Sequence, residues 1–485
     1  MPRAIVTLAF VWTLAQVPLD AAGAAQSDAS AARAHYRQGI EYEREHNLDA
    51  AAAEYQAALA RAPKLAEAHD RLGFVLGLQG HTAEAIAEFE RAVSLQPASF
   101  DARYHLGATL WWTKQLDRAR AELKQAVALR PSHAEARYYL AVTERQQGNL
   151  KAAIADFRTA LRHNSRLVAG HTQLGIALQE LGDLDGAIAE FRRALAIDPA
   201  LPDAGNSLGL ALTQKGDSKS AVQSLRAVIG AHPDFAAARL NLGIALMQGG
   251  ELDAAVAELR ELTRRDPSNA EGFYDLGLAL KQQDAFDAAA TALRTAMQID
   301  PTLPEAPYTL GVVLWQTGHA EEAVALFREA IARRHDYADA HYMLGTIFKQ
   351  QGRTDAALDE LRETIRINPA SAEARTSLGQ LLQLQHDAAG AAAQFAEAER
   401  LNKQKADAQA AAFALNAGLE RLKQQDVRGA IAKFREAVGL APDNAQAHFQ
   451  LALALRRAGR VAEARAEFAA AERLAPYLKP PAPNR

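Results

Sequence analysis

The 485-residue chain has no cysteine, four methionines and only 6% aromatic residues. Lack of cysteine excludes disulfides, thiolate metal sites, cysteine nucleophiles and lipid attachment at a cysteine. Charge of one sign is also lacking. Lys and Arg number 54 against 58 Asp and Glu, the net charge is −4, and the signs are interspersed. No basic stripe exists to hold a phosphate backbone, so nucleic acid is not an expected partner. There is no P-loop, no G-x-S-x-G and no H-E-x-x-H, so no catalytic constellation emerges and the chain reads as a non-enzyme without cofactor or metal.

Long apolar runs are missing as well, apart from residues 4–17, which are too few for a membrane span. Arg3 precedes this run, and small residues follow at 21–25. A charge, a short apolar core and a small-residue stretch describe a secretory signal peptide over residues 1–25, cleaved after Ala24 or Ala25. The alternative is an uncleaved anchor. With no lipid or span elsewhere, export implies a periplasmic or secreted protein.

What the chain does have is a period. Pro63, Pro97, Pro131, Pro199, Pro233, Pro267, Pro301 and Pro369 share one 34-residue grid, which resumes after a five-residue slip at Pro442 and Pro476. Such self-similarity signals a stacked repeat architecture. With this proline as position 32, thirteen repeats begin at residues 32, 66, 100, 134, 168, 202, 236, 270, 304, 338, 372, 411 and 445. Position 20 is always alanine, as in Ala51, Ala187 and Ala464, and position 8 is always glycine or alanine, as in Gly73, Ala141 and Gly175. Positions 4, 7, 8 and 11 form one face of a first helix; positions 20, 24, 27 and 28 form one face of a second. Small residues at 8 and 20 let the helices approach, and a large residue at 24 fills the space beside them. Glycine at position 15 suits a left-handed residue past the first helix, and Asp183 or Asp253 is placed to cap the second.

This pattern, shown best by residues 338–369, resembles the tetratricopeptide repeat. The resemblance implies an all-α solenoid: a right-handed superhelix of antiparallel helix pairs, first helices lining a concave groove. The chain then divides into the leader (1–25), a short segment (26–31), eleven repeats (32–405), an insertion (406–410), two repeats (411–478) and a proline-rich tail (479–485). Position 28 is usually aliphatic but is Glu399 in repeat eleven and Glu472 in repeat thirteen, as a terminal repeat requires. The stretch 387–424 lacks proline, so one long helix across the junction is expected, with a simple insertion in the turn as the alternative.

In this family, positions 2, 5, 6, 9, 12 and 13 face the groove. Position 5 holds Tyr36, Tyr104, Tyr138, Tyr274, Tyr308, Tyr342 and Phe449; positions 12 and 13 hold Trp111, Trp112 and Trp315. Tyrosine and tryptophan bury large area at low entropic cost, which marks Trp111, Trp112, Trp315, Tyr104, Tyr138, Tyr274, Tyr308 and Tyr342 as candidate partner contacts. Packing within the repeat is the competing role for the tyrosines. Position 5 is never lysine and position 9 never asparagine, so the family's carboxylate clamp for chaperone tails is absent. His35, His69, His171, His341 and His448 all occupy position 4, one per repeat and too far apart to share an ion; a contact within the helix pair is expected instead. The resulting expectation is an exported scaffold that holds protein partners in its groove. A glycan-binding or polysaccharide-export accessory is the alternative, because aromatic side chains also stack on sugars. Self-association through the array ends is open to either.

Overall fold

A computed structural model describes residues 19–476 and 478, with side chains from Asp28 onward. Most of the expected leader (residues 1–18) and the tail (479–485) lie outside the described residues. Those described form twenty-five helices and no strand. The chain divides into two compact units between Asp217 and Ser218, which separates the two helices of repeat six. Within each unit the helices pack as consecutive pairs, such as Val168–Glu180 with Leu184–Ile197 in repeat five.

The pair is closed by its small residues. The position-20 alanines of all repeats are buried, Ala391 the most exposed of them at 3%. A Cβ added at Gly175 would lie 2.6 Å from the Phe191 ring, and one at Gly243 would lie 2.6 Å from Leu259. Position 8 therefore stays small because the position-24 side chain lies flat against it. Position 15 turns the chain. The residue there has positive φ throughout: glycine in eight turns, such as Gly182 at 90°, and His46, Lys114, Asp284, His386 and Gln425 in the other five. Glycine takes this conformation without the clash that a Cβ brings.

Capping follows. Asp183, Asp387 and Asp426 accept the backbone N–H three residues on, at 2.9, 2.9 and 2.8 Å. Asp253 does not cap. It lies inside the helix Leu252–Arg265, past the N-cap Glu251, and accepts Nε2–H of Gln283 in the next repeat at 2.8 Å. This bridge recurs as Gln79 to Asp49 and Gln147 to Asp117, both at 2.7 Å.

Position 4 carries a second link. Nδ1 of His69 lies 2.5 Å from Glu88 on the paired helix, and Nε2 lies 2.9 Å from the carbonyl oxygen of Pro63 in the preceding repeat. His171 and His448 repeat the arrangement. Arginine substitutes for it elsewhere: Arg103 donates to Glu122 at 2.5 Å and to the Pro97 carbonyl at 2.7 Å. His69, His171 and His448 thus tie helix to helix and repeat to repeat, whereas His35 in the first repeat reaches only Glu54 of its own pair. Among the described residues no cluster of three or more His, Asp or Glu could hold a metal ion.

Stacking changes at the slip. One helix, Ala388–Lys423, serves as the second helix of repeat eleven and the first of repeat twelve. Phe395 is only half-buried there, and Glu399 is exposed. Position 3 tells the same story. Where a repeat follows another it is alanine or glycine, and Ala68, Ala136, Ala238, Ala340 and Ala374 are fully buried, but in repeat twelve it is Phe413, 76% exposed.

One buried group stands apart. Asp275, at position 6 of repeat eight, is buried, and loss of hydration together with the nearby Glu271 carboxylate pushes its pKa up to about 7. Folded Asp275 therefore keeps its proton over a range in which the unfolded chain, with the ordinary value of 3.8, has released it. The folded state binds more protons there, so stability falls as pH rises between 3.8 and about 7.

Two outcomes are expected. Lys114→Gly should stabilise its turn by about 1 kcal/mol and Gly182→Ala should destabilise by a similar amount; thermal unfolding of the two variants checks the opposite signs. Asp275→Asn should flatten the pH dependence of amide-exchange protection in the helix Ala270–Gln282 between pH 4 and 7, where wild type loses up to about 1.4 kcal/mol per pH unit. An unchanged slope in the variant would exclude Asp275 as its source.

Candidate functional site

The first helices carry every aromatic residue expected to face a partner, and these residues divide into two kinds. The six position-5 tyrosines are half-buried, and three of them meet a position-24 ring of their own repeat. Tyr138 lies 6.0 Å from Phe157, Tyr308 lies 5.7 Å from Phe327, and Tyr36 lies 5.8 Å from Tyr55, centroid to centroid. Burial raises the pKa of Tyr138 and Tyr274 and pushes Tyr104 and Tyr308 up to about 12, so these hydroxyls stay neutral. They help hold the helix pair as well as lining a face.

The tryptophans differ. Trp112 is 72% exposed, whereas Trp111 is half-buried and packs edge-on to Tyr139, with centroids 5.3 Å apart. Both line a recess of about 410 Å³ built by repeats two to four. Its other large walls are Phe74, Leu78, Tyr104 and Tyr139. Leu78 is itself 58% exposed, so the recess opens to solvent through apolar surface. An aromatic residue left this open has no packing role to explain it.

The polar groups of the recess are few. His105 is held by Asp70 of the preceding repeat, Nδ1 to Oδ1 at 2.8 Å, and Thr109 donates to the His105 carbonyl oxygen at 2.8 Å. No Asp, Glu, Asn, Gln, Lys or Arg belongs to its lining. The Lys114 ammonium sits at its margin, 5.8 Å from the Trp111 ring centroid.

Tyr104, Trp111 and Trp112 are thus brought together, with Tyr138 beside Tyr139 at 5.3 Å. Tyr274, Tyr308, Trp315 and Tyr342 belong to the second unit. There Tyr308 lies 4.9 Å from Tyr337, whose ring is covered by the Arg334 guanidinium at 3.6 Å. Trp315 and Tyr342 are half-buried. Sequence reasoning passed over Phe74, His105 and Tyr139. All three stand at positions 6 and 9, which the family pattern assigns to the groove, so the signal was present in their register.

Comparisons with known proteins agree with this geometry. Models of the tetratricopeptide repeat match residues 66–99, 110–170, 206–267, 240–304, 308–372, 342–411 and 415–478, and a TPR repeat model matches 177–216. No curated protein matches the chain at a significant level. Among solved structures, the chain is similar to a tetratricopeptide repeat protein from Parabacteroides merdae (16% identity, 51% of this chain and 98% of that one, TM-score 0.44). It is also similar to the Cut9–Hcn1 hetero-tetramer of APC/C (14% identity, 87% and 96%, TM-score 0.38). A third likeness is to PilF of Pseudomonas aeruginosa (20% identity, 43% and 95%, TM-score 0.38). Family models span well over half of the residues, and the small, large and turn positions they describe are those that close the helix pairs here. The chain belongs to the tetratricopeptide repeat family.

Proposed function

We propose that this chain is an exported, non-enzymatic scaffold, periplasmic or secreted, that holds a segment of a partner protein against the aromatic face of its first helices. The repeats make it a protein-interaction scaffold in class. The observation that carries the finer reading is the solvent-open recess of repeats two to four, with Trp112 at its mouth 72% exposed. Bulky aromatic residues in such a setting are the usual anchors of a protein interface. Among the described residues no helix is long and apolar enough to cross a membrane.

The glycan alternative has less in its favour. Sugar hydroxyls are oriented by side chains that offer paired donors and acceptors, and the recess has no carboxylate, amide or guanidinium among its lining residues.

Crosslinking and affinity capture of the mature protein from its own cell envelope, with Trp112→Ala plus Trp315→Ala as control, tests the scaffold reading. One dominant protein lost in the variant is expected, with helicity unchanged. Equal capture by both forms would move the site off this face, and binding of an oligosaccharide alone would replace the protein partner by a glycan. Export has its own test. Intact-mass analysis of the chain from its native cell should show a start at Ala25 or Gln26; a chain retaining residues 1–24 in the cytosol would overturn it.

A further inference from the structure

Two small residues line the recess, and at one of them, Gly77, packing within the chain does not require the smallness. At position 9, most first helices carry a large apolar residue, as in Phe74, Ile176, Leu210, Ile244 and Leu278; repeat three has Ala108. At position 12, next to the recess, repeat two has Gly77 inside the helix Ala66–Leu78. A glycine in a helix is less favourable than an alanine, because more backbone freedom is lost on folding. At Gly175 and Gly243 that cost is forced, because a Cβ would strike the paired helix at 2.6 Å. At Gly77 it is not forced. A Cβ there would come no closer than 3.9 Å to any neighbour, an ordinary contact with Ala85. Gly77 and Ala108 together keep empty a space walled by Phe74, Leu78, Tyr104, Trp111, Trp112 and Tyr139.

Charge narrows what can fill that space. No carboxylate lines the recess to balance a cation, Asp70 behind it is already engaged by His105, and the Lys114 ammonium already lies over Trp111. An incoming Lys or Arg would meet like charge without a counter-ion. An incoming carboxylate would lose water among aromatic rings, with only Lys114 at the margin. An uncharged apolar body suffers neither loss and gains the buried area.

We propose that the recess of repeats two to four receives one bulky, uncharged side chain of the partner segment, aromatic or long aliphatic, and that this anchor sets the segment's register on the scaffold. The inference rests on the segment-binding reading above and adds the chemistry of the anchor. Gly77 and Ala108 are positioning residues in it: they act by leaving room.

The test pans a display library of random dodecapeptides on the full-length mature protein, then titrates enriched peptides by fluorescence anisotropy. Enriched peptides are expected to share one position restricted to Phe, Tyr, Trp, Leu, Ile or Met. Alanine at that position should weaken binding at least tenfold, and so should Ala108→Phe in the protein. Gly77→Leu, whose Cβ has only an ordinary contact with Ala85 at 3.9 Å, provides a second filled recess should Ala108→Phe disturb the fold, and its thermal unfolding should match or exceed that of wild type. Peptides selected for Lys, Arg, Asp or Glu at the key position, or peptides that bind both filled variants as well as wild type, would overturn the anchor while leaving segment binding intact. Failure to enrich any peptide would sink both.

Discussion

Close approach of two antiparallel helices, repeated along the chain, is the constraint on which the rest of this structure depends. A ring or leucine at position 24 lies flat on a residue that is glycine in most repeats, and position 20 offers only a methyl group. Everything larger is displaced from that seam to the faces of the pair. The position-7 leucines, such as Leu72 and Leu106, are buried beside the seam, while position 13 of repeat three leaves Trp112 open to solvent. Because each pair touches only its neighbours, the stack is held by nearest-neighbour terms and can vary its exposed face from repeat to repeat without cost to the seam. That freedom is what allows a cluster of aromatic residues to gather in repeats two to four.

Polar groups reinforce the stack in a register of their own. The histidine or arginine at position 4 reaches one acceptor on its own pair and one carbonyl on the pair before, and the amide at position 14 reaches back to the acid at position 18 of the preceding repeat. The first joins buried or half-buried groups that would otherwise lack partners, whereas the second lies at the surface, where water competes for it. They are directional where apolar packing is not, so they fix how far one pair can slide on the next.

How much of this could be read in the sequence follows from which constraints repeat. The seam was legible at Ala51 through Ala464 and at the glycines of positions 8 and 15, since the same local geometry imposes the same residue each time. The role of Asp253 was not, because an N-cap differs from the first helical turn by only two positions, and Asp183 and Asp253 look alike until the backbone is seen. The tyrosines of position 5 were legible as aromatic, but not the contact that Tyr36, Tyr138 and Tyr308 make with a position-24 ring. The recess was least legible of all. It is made by what Gly77 and Ala108 leave out, and a missing side chain gives no sign in the sequence of what surrounds the gap. Asp275 was hidden for a related reason: position 6 varies from repeat to repeat, so the pattern carries no mark of its burial in repeat eight.

The helix Ala388–Lys423 has a consequence of a mechanical kind. Its 36 residues make a rod about 54 Å long. Most residues from 402 to 410 are exposed along it, and neither proline nor glycine interrupts that stretch. The same residues as a flexible linker would let repeats twelve and thirteen roam over a broad range of distances from repeat eleven. As a helix they act as a ruler, so a molecule bound to the last two repeats is held at a set spacing and angle from repeat eleven, and strain applied at one end is felt at the other.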